Sequence, residues 1–111
     1  MKYQIKSRFW IEADGEILLG QGRVDLLKAI EKTGSLSKAA RSIGMSYKKA
    51  WTLMDQVNSR AEKQVIATVI GGSKGGGSTL TDYGRSLITT YERINLNNGG
   101  YLEEQLAKSG L

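Results

Sequence analysis

The sequence predicts an α+β fold, and three observations carry that expectation. Residues 35–61, "SLSKAARSIGMSYKKAWTLMDQVNSRA", hold two helix-forming stretches separated by a glycine. The β-rich run "QVIATVI" and the short run "STL" stand on either side of a glycine-rich stretch, as the arms of a hairpin would. Near the N-terminus, Tyr3, Ile5, Phe9 and Ile11 fall on one parity, with Lys6, Arg8 and Glu12 mostly on the other, which is strand alternation.

Each element follows in order. Asp14-Gly15 supplies a tight turn, because glycine accepts positive φ, and "EILLG" returns as a second strand. "GRVDLLKAIEKTG" reads as a helix, with Val24, Leu27 and Ile30 on one face, Lys32 in the last turn and Gly34 placed to end it. Ser37 is expected to cap a short helix running to Ile43. Gly44 breaks that helix, and Ser46 caps a second one running to about Arg60. After the hairpin, Thr81 caps a last helix whose Tyr83, Leu87, Tyr91 and Ile94 form a narrow apolar stripe. "NLNNGG" is expected to interrupt or end that helix, with "YLEEQLAKSG" forming a short further one.

Two helices joined by a three-to-four-residue glycine turn form a helix-turn-helix, and a following β-hairpin makes it winged. The whole chain, 1–111, is expected to be one such domain. The helix-turn-helix occupies about 36–61, the wing about 64–80 and a C-terminal helix region about 81–108. Ala40 gives the small residue where the helices cross, and Ile43, Met45, Ala50, Leu53 and Val57 supply the apolar positions around the turn and along the second helix.

Composition narrows the chemistry. The chain has no Cys and no His, so thiolate and imidazole ligands and the commonest general base are absent. No enzymatic centre and no cofactor are expected. No apolar run approaches the ~18 residues a membrane span needs, so a cytoplasmic protein without a membrane partner is expected. The net charge is +5, and residues 1–80 carry thirteen Lys/Arg against seven Asp/Glu. A basic body suits a polyanion.

The charge is local as well. Between Ser37 and Lys49 stand four cations, Lys38, Arg41, Lys48 and Lys49, and no acid. At about 100° per residue, Ala50, Leu53 and Val57 set the core direction of the second helix, and Lys48 points roughly opposite with Thr52 and Asp55 close by. Such a helix start suits base edges in the major groove and phosphates at its free amides. Candidate contacts to double-stranded DNA are Ser37, Lys38, Arg41, Ser46, Tyr47, Lys48, Lys49, Trp51 and Thr52. Lys38 and Arg41 are read as phosphate contacts. Trp51 stays open between DNA and the edge of the core under the N-terminal hairpin. On the wing, Lys74 and Gly75 are candidates, since glycine lets the main chain approach phosphate. A nucleotide-hydrolysing loop needs Lys directly before Ser/Thr, and here Ser78 holds that position.

In these stretches the chain resembles the N-terminal DNA-binding domain of the molybdenum-responsive ModE regulators, whose winged helix is related to that of LysR-type regulators. The resemblance rests on "LLKAIEKTGSLSKAARSIGMSYKKAW", "VNSRAEKQVIATVIGGSKGGGSTLT", "DYGRSLITTY" and the general form of the N-terminal hairpin, together roughly residues 1–95. It implies a prokaryotic, sequence-specific transcriptional regulator, homodimeric on a palindromic operator. It implies a dimer interface drawn from the N-terminal hairpin and the long last helix: Phe9, Ile11, Tyr83, Leu87, Tyr91 and Ile94. The family's C-terminal molybdate-binding module has no counterpart in these 111 residues. No oxyanion site is carried over, and a separate signal-sensing partner is a further expectation. The alternative is a winged-helix protein-interaction module that has lost DNA binding.

Overall fold

The computed structural model describes residues 2–69 and 77–111. Among them are four helices and two small antiparallel sheets, an α+β arrangement. The first sheet pairs β1 (Ile11–Ala13) with β2 (Glu16–Leu19). Asp14 (φ 51°) and Gly15 (φ 82°) both sit at positive φ, the combination that matches a two-residue turn to the twist of its strands. The register shifts between Ile11 and Glu12, and residues 2–10 are not paired as a strand. The alternation read from Tyr3 onward therefore becomes strand only at Ile11.

Helix α1 (Gln21–Thr33) ends as expected at Gly34, whose φ of 71° lets its N–H reach back to the Ile30 carbonyl. Helix α2 (Leu36–Ser42) begins two residues earlier than a cap at Ser37 would place it. Its cap is Ser35, whose Oγ accepts from the Lys38 N–H at 3.2 Å, and Ser37 lies inside the first turn. Gly34 in the left-handed region ends α1 directly before Ser35, and Leu36 packs against the core, so the chain enters α2 at Ser35. Ser35→Ala should cost about 1 kcal/mol in urea unfolding, and Ser37→Ala only a few tenths. Equal losses would remove Ser35 as the cap.

The turn at Gly44 (φ 70°) returns the chain so that the Met45 N–H bonds the Ala40 carbonyl at 2.9 Å. Helix α3 (Tyr47–Arg60) then starts at Ser46, whose Oγ accepts from the Lys49 N–H at 3.1 Å. Ala50, Met54 and Val57 are its buried residues, while Leu53 is half-buried. The core direction is thus turned slightly toward Met54.

Strands β3 (Ile66–Val69) and β4 (Gly77–Leu80) pair antiparallel, from Ile66 opposite Leu80 to Val69 opposite Gly77. Asn58 ties this hairpin to α3. Its Oδ1 accepts from the Val65 and Ile66 amides, both at 2.9 Å, and its Nδ2 donates to the Ile66 carbonyl at 3.0 Å. Ser78 N–H donates to the Gly34 carbonyl at 3.0 Å, fixing β4 against the end of α1.

Helix α4 (Asp82–Lys108) is capped by Thr81 and runs unbroken through Asn95–Gly100. The interruption read at "NLNNGG" does not occur. The N-terminal segment lies along this helix: Phe9 stacks on Tyr91 with ring centroids 4.7 Å apart, and Asn98 Nδ2 donates to Ser7 Oγ at 2.9 Å. Glycine and asparagine disfavour a helix by up to about 1 kcal/mol each, yet the helix continues through a stretch in which only Asn98 and Gly99 are even half-buried. The core sits between α1, α2, α3 and the two hairpins, with Leu19, Val24, Leu26, Leu27, Ile30, Val57 and Val65 fully enclosed. Tyr91 joins it at 2 % exposure.

Candidate nucleic-acid interface

The Ser46 cap starts α3 with no acidic residue in its first turn, so the free amides and the helix dipole present positive potential. Tyr47, Lys48, Lys49, Trp51 and Thr52 are all exposed on its first two turns. Ser46 is exposed too, though its oxygen is engaged as the cap. Thr52 Oγ1 donates to the Lys48 carbonyl at 3.0 Å, which leaves its oxygen lone pairs to accept. Ser37, Lys38 and Arg41 are exposed on α2. The fold thus brings the α2 and α3 candidates onto two helices joined by one short turn. Lys74 and Gly75 lie outside the described residues.

The distribution of ion pairs is uneven. Among the described residues, Lys28 pairs with Glu92, Arg85 with Glu31 and Asp82, Arg60 with Glu16, and Lys108 with Glu104. None of these pairs takes a cation from 37–49. The hydrogen-bonded Glu92 raises the pKa of Lys28, and the hydrogen-bonded Glu31 likewise raises that of Arg85. Carboxylates therefore neutralise Lys28 on α1 and Arg85 and Lys108 on α4, while Lys38, Arg41, Lys48 and Lys49 stand without a carboxylate partner among the described residues. Sequence counts gave the local excess but not this segregation, because the Lys28–Glu92 and Arg85–Glu31 pairs span 64 and 54 positions.

A groove between α3 and the β3–β4 hairpin is lined by Leu36, Trp51, Asp55, Thr68 and Ser78, and an adjoining hollow that shares Leu36, Thr68 and Ser78 is lined by Tyr47. Trp51, left open by the sequence, is 53 % exposed and flanks this groove instead of lying under the N-terminal hairpin. Two supporting residues escaped the sequence reading. Arg23 on α1 donates through Nη2 to Gln56 Oε1 on α3 at 2.7 Å, while its Nε is buried without a partner. Burial, and then the nearby Arg60 charge, hold the Arg23 pKa below its usual value. Asn58 is the other. Nothing in helix periodicity marks an inward amide as a brace.

The candidates for the interface between copies divide. Tyr91 is spent inside the chain, stacked on half-buried Phe9. Ile11, Tyr83 and Leu87 are half-buried, and Ile94 is 40 % exposed. Beyond Ile94 on α4, Leu96 and Tyr101 are also exposed.

What these elements define is a small α+β protein with a cationic two-helix face beside a β-hairpin. No family model matches the chain. It is similar to the molybdenum transport protein ModE of Azotobacter vinelandii, 38 % identical over 90 residues that make up 81 % of this chain and 33 % of that protein. It is 45 % identical over 76 residues, 68 % of this chain and 28 % of the relative, to the molybdenum-pterin-binding protein MopB of Rhodobacter capsulatus. Identity to the DNA-binding transcriptional dual regulator ModE of Escherichia coli is 41 % over 72 residues, 65 % of this chain and 28 % of that protein. The chain spans about a third of the length of these relatives and is related to that part of ModE-type proteins. Among the described residues, no helix is long and apolar enough to cross a membrane.

Proposed function

We propose that the chain is a winged helix-turn-helix domain, residues 1–111, that binds double-stranded DNA sequence-specifically as a transcriptional regulator. The observation that carries this reading is the unneutralised cationic face of α2 and α3, on a molecule whose other cations include several paired across α1 and α4. The similarity to a regulator named for DNA binding supports it. In this reading α3 enters the major groove. Tyr47, Lys48, Lys49 and Thr52 face base edges or phosphates there, and Trp51 lines the flank. Lys38 and Arg41 meet phosphates, joined by the hydroxyls of Ser37 and Ser46. The β3–β4 hairpin is the wing, and Lys74 and Gly75, between its two strands in the sequence, contact the DNA backbone.

The protein acts as a homodimer on a palindrome, with α4 and the N-terminal segment as the joint. Within the apolar stripe, Ile94 is the surface member, and Tyr101 extends it. Ile11, Tyr83 and Leu87 border it, whereas Phe9 and Tyr91 support it from within.

Selection from a random duplex pool at several salt concentrations tests the reading. Salt-dependent binding with enrichment of a palindrome is the expected result. No binding at low salt sinks it and favours a protein-interaction module. In the same assay Lys74→Ala should weaken binding across sequences and lower the log–log salt slope by about one. An unchanged slope would remove Lys74 from the interface.

A further inference from the structure

We infer that the Tyr47–Trp51 flank of α3 reads the C5-methyl group of thymine. The inference rests on the DNA-binding reading and assigns a base class to one wall of that interface.

Tyr47 and Trp51 stand one helical turn apart, 52 % and 53 % exposed. Large aromatic surface left in water on a helix flank calls for an apolar partner. Trp10 is also exposed, but its indole N–H is engaged with Glu12 at 2.8 Å. The Trp51 indole makes no such bond among the described residues. Its ring instead borders a groove of about 180 Å³ that includes Leu36, Met54 and Ile66.

The surroundings narrow the occupant. Lys48, in the turn before Trp51, favours a polyanion on this side of the molecule. Asp55, one turn beyond Trp51 and in the same groove wall, disfavours a phosphate seated there and admits a base edge. On the major-groove edges of the four bases, the thymine C5-methyl is the apolar group, and apolar side chains are what contact it. A base edge beside Trp51 therefore presents a methyl, and Asp55 can accept from an amino group of the neighbouring adenine or cytosine.

The test removes the methyl and nothing else. The duplex enriched by the intact chain is resynthesised with deoxyuridine in place of thymine, position by position. One or two positions per half-site should lose about fourfold in affinity, the worth of one buried methyl. Trp51→Ala should bind the thymine and uracil forms equally, and Trp51→Leu should restore part of the difference. Uniform loss on both forms with Trp51→Ala would place the ring on sugar or phosphate and overturn the inference. Equal binding of both forms by the intact chain would overturn it while leaving DNA binding in place. Failure to bind any duplex would remove the DNA-binding reading itself, and this inference with it.

Discussion

Lys48→Ala is expected to weaken binding to the enriched duplex by about 1–3 kcal/mol and to relax specificity at the bases it faces. The side chain is exposed in the first turn of α3, opposite the buried Ala50, Met54 and Val57. It has no carboxylate partner among the described residues, so its charge is available to a ligand. Folding should be almost untouched, since an exposed substitution away from caps and braces stays within about 0.5 kcal/mol. Lys28→Ala is the control, because it removes the same formal charge from α1. There Lys28 is bound to Glu92 at 2.8 Å, so its loss should change DNA affinity little. Equal loss in both variants would mean that binding follows net charge alone and that α3 has no special place in it.

Gly84→Ala is expected to lower stability by about 2 kcal/mol, although alanine is the better helix former by about 1 kcal/mol. The opposing effect is steric and larger. A Cβ at Gly84 would lie 2.5 Å from the Val65 carbonyl oxygen and 3.1 Å from Val65 Cγ1. Val65 cannot give way easily. Its side chain is enclosed, its N–H is held by Asn58, and its carbonyl accepts from the Thr81 N–H at 2.9 Å. Overpacking of this kind costs about 1–3 kcal/mol, and a strained Thr81–Val65 bond adds about 1 kcal/mol. The melting temperature should fall on the order of 10 °C. Gly99→Ala, also within α4, meets nothing within 4 Å and should instead raise stability by about 1 kcal/mol. A rise in both variants would contradict the close approach of α4 to Val65.

These predictions separate what each level of structure supplies. Lys48 was legible as an outward cation because helix periodicity is a local rule. The clash at Gly84 was not, because it depends on Val65, which reaches that point only when β3 docks against the start of α4. The same holds for the candidate interface. Periodicity put Tyr91 on an apolar stripe with Ile94 but could not say that Phe9 would cover one and not the other.

The sequence by itself determined the local punctuation: the Asp14-Gly15 turn, the helix ends at Gly34 and Gly44, the caps at Ser46 and Thr81, and the cationic run from Lys38 to Lys49. Each depends on backbone conformation or charge within a few residues. Tertiary structure decided the rest. It turned Tyr91 inward, left Trp51 in the open, and paired Lys28 with Glu92. The difference is one of magnitude: a local preference is worth up to about 1 kcal/mol, whereas burying one large side chain such as Tyr91 is worth about 1.5–3 kcal/mol. Where distant segments meet, burial sets the outcome.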